Sequence, residues 1–311
     1  KCLQEWTEVW HAQPFQNDTV EPQPWLEAEI PAEDILQHPE PTAFLAACTG
    51  FKKRTGIGTD AHHPRVWATH ELPGANAAVG VIGRIEAERK WPTQLRWQVF
   101  WLIDKDSGGQ RALALLASFI RIWETIRLPL LQSWARSQDR SYDFACEGRH
   151  CESALWLQGL AEESLPTQSH LEVPDQLGQA TLLIDICKCF DNVRLLHLWR
   201  WGLAWKVPVH LLIMLCVTFS LPRRLQYNGT ATEPIQTWAT IVPGSRFAIF
   251  CLHVVLLWPC DCALQLYGGQ IEVQEPVVLR LAKYVDDLTV AFRGLNRWLP
   301  EAVERFFVLF A

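Results

Sequence analysis

Three aspartates stand where a folded chain does not ordinarily put charge. Asp286 and Asp287 are adjacent in the middle of "LAKYVDDLTVAF" (281–292), and Asp185 interrupts the apolar run "TLLIDI" (181–186). An unpaired carboxylate buried in such a strand is costly to desolvate, or its pKa moves upward. Two readings are open. Asp is a common turn residue, so the adjacent pair could simply close a hairpin. If the two segments are instead neighbouring strands, two or three carboxylates converge, and their repulsion calls for a cation. Hard oxygen donors suit Mg²⁺, which also takes substrate phosphates into its shell. Two such ions form a clamp for in-line phosphoryl transfer.

The segments around these residues read as strands, turns and helices in alternation. "ATLLIDICKCFDNV" (180–193) is a buried-type strand running into a helix that Asp191 or Asn192 caps. "VVLRLAKYVDDLTVAF" (277–292) is a hairpin with its tip near Val285–Asp286. "QVFWLIDKDSGGQRALALL" (98–116) is a second hairpin, turned by Ser-Gly-Gly, and "RRLQYNGTATEPIQTW" (223–238) a third, turned by Asn228-Gly229. "FIRIWETIRLPLLQSWARS" (119–137) has helical periodicity, with Ile120, Trp123, Ile126 and Leu130 along one side. "PGSRFAIFCLHVVLLW" (243–258) turns at Gly244 and continues as an apolar helix. The order of strands and helices predicts an α+β protein: an antiparallel sheet with helices on one face.

Composition frames these elements. The chain has 311 residues, is 49% apolar and 20% charged, and so has the makeup of a globular protein with a sizeable core. Its net charge of −6 hides an asymmetry. Residues 1–50 carry nine acidic residues against Lys1 alone, with six of the 19 prolines, and read as an extended lead-in with short helical pieces such as Ala32–Gln37. Residues 51–150 carry 15 basic against 10 acidic residues, a balance that permits a nucleic-acid partner. Ten cysteines fall in no zinc-ribbon or redox spacing and read as free thiols in a reducing compartment. In "CEGRHC" (146–151) a Cys-His-Cys set lacks a second ligand pair, and His62-His63 reads as a loop. Lys1–Val20 has no signal-peptide character. The apolar runs Leu211–Leu221 and Phe247–Trp258 fall short of the ~20 residues that span a bilayer, so they read as core helices and no membrane partner is expected.

Several of these stretches together resemble reverse transcriptases. "YVDD" (Tyr284–Asp287) is similar to the family's Y-x-D-D motif. "LLIDICKCFDNV" resembles its first palm motif, an aspartate followed five residues later by an aromatic. "IVPGSRFA" (241–248) resembles the Pro-Gln-Gly-Ser turn before a palm helix; aligned on Gly244-Ser245, the family's Gly and Gln positions hold Thr240 and Pro243. "FKKRTGIGTDAHHPR" (51–65) and residues 91–127 resemble the fingers of non-LTR retrotransposon and group II intron enzymes. The resemblance spans about 51–311, in the family's order.

The resemblance implies a right-hand polymerase: an acidic, Pro-rich segment (1–50), fingers (51–175), and a palm (176–311) that stops before the thumb, so that the chain is expected to be a piece of something longer. It implies RNA-directed DNA synthesis with an RNA template, a DNA primer and dNTPs. Asp185 and Asp286 would hold two Mg²⁺ ions, supported by Asp287 and the main-chain carbonyl of Ile186. Phe190 would be the aromatic gate against a 2′-hydroxyl. Lys105 and Arg111 would neutralise the triphosphate, and Gly244 and Ser245 would form the turn beneath the nascent base pair. Each has a plainer reading: Phe190 as core, Lys105 and Arg111 as solvated charges, most of the 16 tryptophans as packing. The alternative function is a catalytically inactive, maturase-like RNA-binding module of the same fold.

Overall fold

The computed structural model describes residues 23–106, 108–163, 177–237, 239–268 and 277–310; residues 1–22 of the acidic lead-in lie outside them. Along the chain come helices α1 (Pro41–Thr49) and α2 (Glu71–Glu88), strands β1 (Gln98–Asp104) and β2 (Gln110–Leu115), then α3 (Ser118–Ser137) and α4 (Cys151–Glu163). They are followed by β3 (Leu177–Asp185), the single turn α5 (Cys189–Asn192), α6 (Leu195–Ala204), α7 (Val209–Phe219), β4 (Arg223–Tyr227) and β5 (Thr230–Ala231). The chain closes with α8 (Ala248–Gly268), β6 (Val278–Tyr284), β7 (Asp287–Leu295) and α9 (Leu299–Phe310). Two compact units share these elements: Lys1–Trp134 with Phe190–Cys251, and Ala135–Cys189 with Leu252–Ala311.

The first unit holds a mixed sheet in the order β2-β1-β4-β5. The β1–β2 hairpin forms as the Gly-Gly turn predicts, with Gly108 and Gly109 at φ +84° and +78°. The β4–β5 hairpin turns at Asn228 (φ +46°) and Gly229 (φ +78°). The expectation of one antiparallel sheet is corrected here, because β1 and β4 pair in parallel. Their register is pinned by buried polar groups: Gln98 Nε2 donates to the Thr218 carbonyl (2.7 Å), and Arg223 Nε donates to Gln98 Oε1 (3.2 Å). Behind the sheet, α7 is buried along its whole length from His210 to Phe219, as its apolar run predicts. Asp60 lies far from α3 in sequence, yet it accepts from the Ser118 amide at 2.7 Å and so caps that helix.

Asp191 lies inside α5, buried, and its charge acts on the Arg223 guanidinium, while Arg194 holds the N-cap position of α6. The periodicity of α3 is also shifted from the apolar reading. Ile120 and Trp123 are buried, but Leu130 is exposed, while Glu124 and Arg127 are buried in its place. Arg127 makes a two-oxygen pair with buried Glu86 at 2.7–2.8 Å, and Trp123 Nε1 donates to the same carboxylate.

The second unit holds an antiparallel sheet in the order β3-β7-β6. Alternation gives it two faces. Leu288, Val290 and Phe292 of β7, with Leu279 and Leu281 of β6, pack on Cys260 and Ala263 of α8 and on Leu299, Ala302 and Phe306 of α9. The other face carries Thr181, Leu183, Asp185 and Asp287, all exposed. The expected one-sided helix layer is therefore modified. Ala154 and Leu157 of α4 line a cavity of about 390 Å³ with Arg280, Ala282 and Thr289 of this second face.

The apolar run expected to end near Trp258 continues to Gly268. Among the described residues, α8 is the one helix long and apolar enough to cross a membrane, over Ala248–Leu266; 44% of that stretch is buried. It also carries His253 and Asp261, each paired with a residue of the 140–143 segment.

Candidate functional site

In the second unit the three aspartates meet at one end of the sheet. Val285 and Asp286 link β6 to β7, and Tyr284 pairs with Asp287 across the link. On the other side of β7, Asp287 pairs with Asp185, the last residue of β3. Residues directly opposite in an antiparallel pair point to one face with Cβ atoms about 4.5–5.5 Å apart. Asp185 and Asp287 therefore share a face. Both are exposed rather than buried. Asp286 is half-buried; burial, then the charges of Asp287 and Asp185, raise its carboxyl above the ordinary value. The turn itself is strained, with the β-branched Val285 at φ +58°.

Like charges directly opposite on a sheet are destabilising unless something lies between them. Two facing carboxylates with a third in the adjoining turn are hard donors that a divalent cation suits. Among the described residues, no group of three or more His, Cys, Asp or Glu side chains is placed to hold a metal ion. Mg²⁺ does not need one, since it is commonly held by one or two carboxylates and completed by water and substrate phosphates. The Ile186 carbonyl already accepts from the Cys189 amide at 3.2 Å, which leaves its second lone pair. The donor set fits Mg²⁺.

The other predicted residues belong to the first unit, where main-chain bonds join Phe190 to Ile241 and Pro243 to Ala114 of β2. Phe190 is half-buried, and its carbonyl accepts from the Ile241 amide at 2.8 Å. Three residues on, Gly244 turns at φ +100° against β2; a Cβ there would stand 3.0 Å from the Ala114 carbonyl oxygen. The Ala114 amide donates to the Pro243 carbonyl at 3.3 Å, and Arg111 lies on the same strand, exposed. Lys105 is exposed at the hairpin turn, where its amide donates to the Gly109 carbonyl.

Ser245 is committed to structure. Its hydroxyl donates to Glu124 at 2.5 Å and accepts from the Phe247 amide at 3.1 Å, while the Arg246 amide donates to the second Glu124 oxygen at 3.2 Å. Glu124 is fully buried, and burial pushes its carboxyl up to about 7 against the pull of these donors. The Arg246 amide that it accepts from stands just before the first turn of α8. Thr240 is buried at φ +130°, a conformation that a β-branched residue rarely adopts.

Sequence reasoning missed Glu124, and it missed a second buried group, Asp143, which binds Lys283 and His253 in the second unit. An isolated acid in a helix or loop carries no signal of what it will meet. His62 and His63 do lie in a loop, where His63 Nδ1 accepts from the Arg65 amide. Cys146 is half-buried and Cys151 exposed, and both are free thiols.

Comparison with protein-family models gives no match to the chain, and comparison with curated proteins gives none.

Proposed function

We propose that the chain is the polymerase portion of a retroelement reverse transcriptase, which adds deoxynucleotides to a primer 3′-hydroxyl on an RNA template. One observation carries the reading: Asp185 stands directly opposite Asp287 at the open end of an antiparallel sheet, with Asp286 in the adjoining turn. A sheet end that gathers three carboxylates on or beside one face, at an energetic cost, supports a site built around a cation.

In this reading Asp185, Asp286 and Asp287, with the Ile186 carbonyl, would hold Mg²⁺. When bound, the metal supplies Lewis-acid stabilisation of the charge that develops in phosphoryl transfer. The aspartates act by fixing hard donors on rigid strand ends, which keeps the site preorganised. Lys105 and Arg111 would neutralise the triphosphate, Phe190 would discriminate against the 2′-hydroxyl, and the Pro243–Ser245 turn would support the nascent pair.

The test is primer extension by the purified chain with an RNA template, a DNA primer, Mg²⁺ and dNTPs, alongside Asp286→Asn. Extension that vanishes in a folded Asp286→Asn variant is the expected result. A variant that extends as the wild type does removes the metal assignment. RNA binding without extension by either protein favours the maturase-like, non-catalytic module.

A further inference from the structure

Behind the carboxylate hairpin lies a buried charge cluster that the reading above leaves unused. Lys283 is the last but one residue of β6 and is only 2% exposed, its side chain on the face opposite Asp287. Lys283 Nζ pairs with Asp143 Oδ2 at 2.9 Å, and the same oxygen meets His253 Nδ1 of α8 at 2.6 Å. The other Asp143 oxygen accepts from the Ala145 amide at 2.9 Å. Burial opposes the charge on Asp143, but His253 and Lys283 outweigh it and hold the carboxyl well below the usual range.

The main chain repeats the connection. The Lys283 amide donates to the Tyr142 carbonyl (2.7 Å) and the Phe144 amide to the Lys283 carbonyl (2.8 Å), so that Asp143 bridges in parallel to the outer edge of β6. The same segment is tied to α8 a second time, since Asp261 accepts from Tyr142 Oη at 2.7 Å and from Arg140 Nη2 at 3.0 Å. Side chain and backbone thus fix β6 at the residue before Tyr284, where the hairpin begins. A buried lysine is an expensive anchor, and an apolar residue would fill the space at less cost. What a charged, hydrogen-bonded anchor adds is a single position.

We propose that Asp143, His253 and Lys283 are positioning residues that set the placement of the Tyr284–Asp287 hairpin and hence the divalent-cation affinity of its carboxylates. This inference rests on the reading of those carboxylates as a metal site. Groups that orient metal ligands without touching the metal typically change affinity or activity by about 10–100-fold when removed.

The experiment is Mn²⁺ binding to the purified chain, followed by electron paramagnetic resonance, together with primer extension and thermal melting. Asp143→Asn/Lys283→Met removes both charges together, so that neither is left buried and unpaired. The expected result is a melting temperature near the wild type's, Mn²⁺ binding weakened by about tenfold, and kcat lowered with the KM for dNTP unchanged. Wild-type Mn²⁺ affinity and kcat in a folded double variant overturn the proposal. Should the double variant not fold, His253→Phe takes its place, with a smaller change of Mn²⁺ affinity in the same direction expected and no change overturning the role. Asp286→Asn separates the two failures. If it binds Mn²⁺ as the wild type does, the carboxylate site falls and this inference with it. If it loses Mn²⁺ while the cluster variants keep it, the positioning role alone falls.

Discussion

Ser245 donates its hydroxyl to Glu124, a fully buried carboxyl 121 residues earlier in the chain, at 2.5 Å. The contact joins the turn before α8 to the middle of α3; this donated bond favours the charged carboxylate, and burial, the larger effect, favours the proton.

A pH dependence follows. The Glu124 carboxyl has an ordinary value of 4.5 and is pushed up to about 7 by burial. A raised carboxyl contributes stability that is complete below the ordinary value and is lost as pH rises through the folded one. Between about pH 4.5 and pH 7 this group should remove on the order of 2–3 kcal/mol of stability. Glu124→Gln keeps the shape, leaves one acceptor oxygen and removes the ionisable proton, and should flatten that slope. Denaturant melts across the range check it; identical slopes in both proteins would contradict it.

Thr240 predicts a stabilising substitution. Holding a β-branched residue at φ +130° stores on the order of 1–3 kcal/mol, more than the backbone entropy that glycine adds. Thr240→Gly should raise stability by about 1 kcal/mol, read as a higher denaturation midpoint. A lower midpoint would mean that the Thr240 hydroxyl bond to the Ile241 carbonyl outweighs the strain.

Gly244 predicts the reverse. At φ +100°, with the Ala114 oxygen 3.0 Å from any Cβ, Gly244→Ala should cost about 1–3 kcal/mol. It should also raise the KM for dNTP if the turn supports the nascent pair. Unchanged stability would show that the turn can relax away from β2.

Phe190 is half-buried, so its ring is not sealed into the core. Phe190→Val should increase ribonucleotide incorporation relative to deoxynucleotide in single-nucleotide extension. An unchanged ratio returns Phe190 to packing.

The sequence disclosed the local chemistry and concealed the long-range chemistry. Gly108-Gly109, Asn228-Gly229 and the Val285–Asp286 tip were legible because each turn is written in adjacent residues, and the described turn residues match. The register that sets Asp185 against Asp287 could be anticipated only as a convergence of carboxylates. The parallel β1–β4 pairing was not legible, because Gln98 and Arg223 are 125 residues apart and carry no signal of each other. The buried face of α3 was misread for a related reason. Apolar periodicity selects Leu130, whereas Glu124 and Arg127 are buried by partners that lie elsewhere in the chain. The same blindness hid Asp143 behind Lys283.

That parallel pairing has a consequence for synthesis on the ribosome. The inner edge of β1 is satisfied by β4, so the nascent chain must carry an unpaired strand edge until residues 223–227 emerge. At roughly 5–20 residues per second, a gap of 125 residues is a delay of roughly 6–25 s. During that interval the β1–β2 hairpin presents Trp101 and Ile103 beside an open row of amides and carbonyls, the kind of edge that recruits other strands. Chains released before Tyr227 should therefore aggregate more than the full chain does, as read by light scattering.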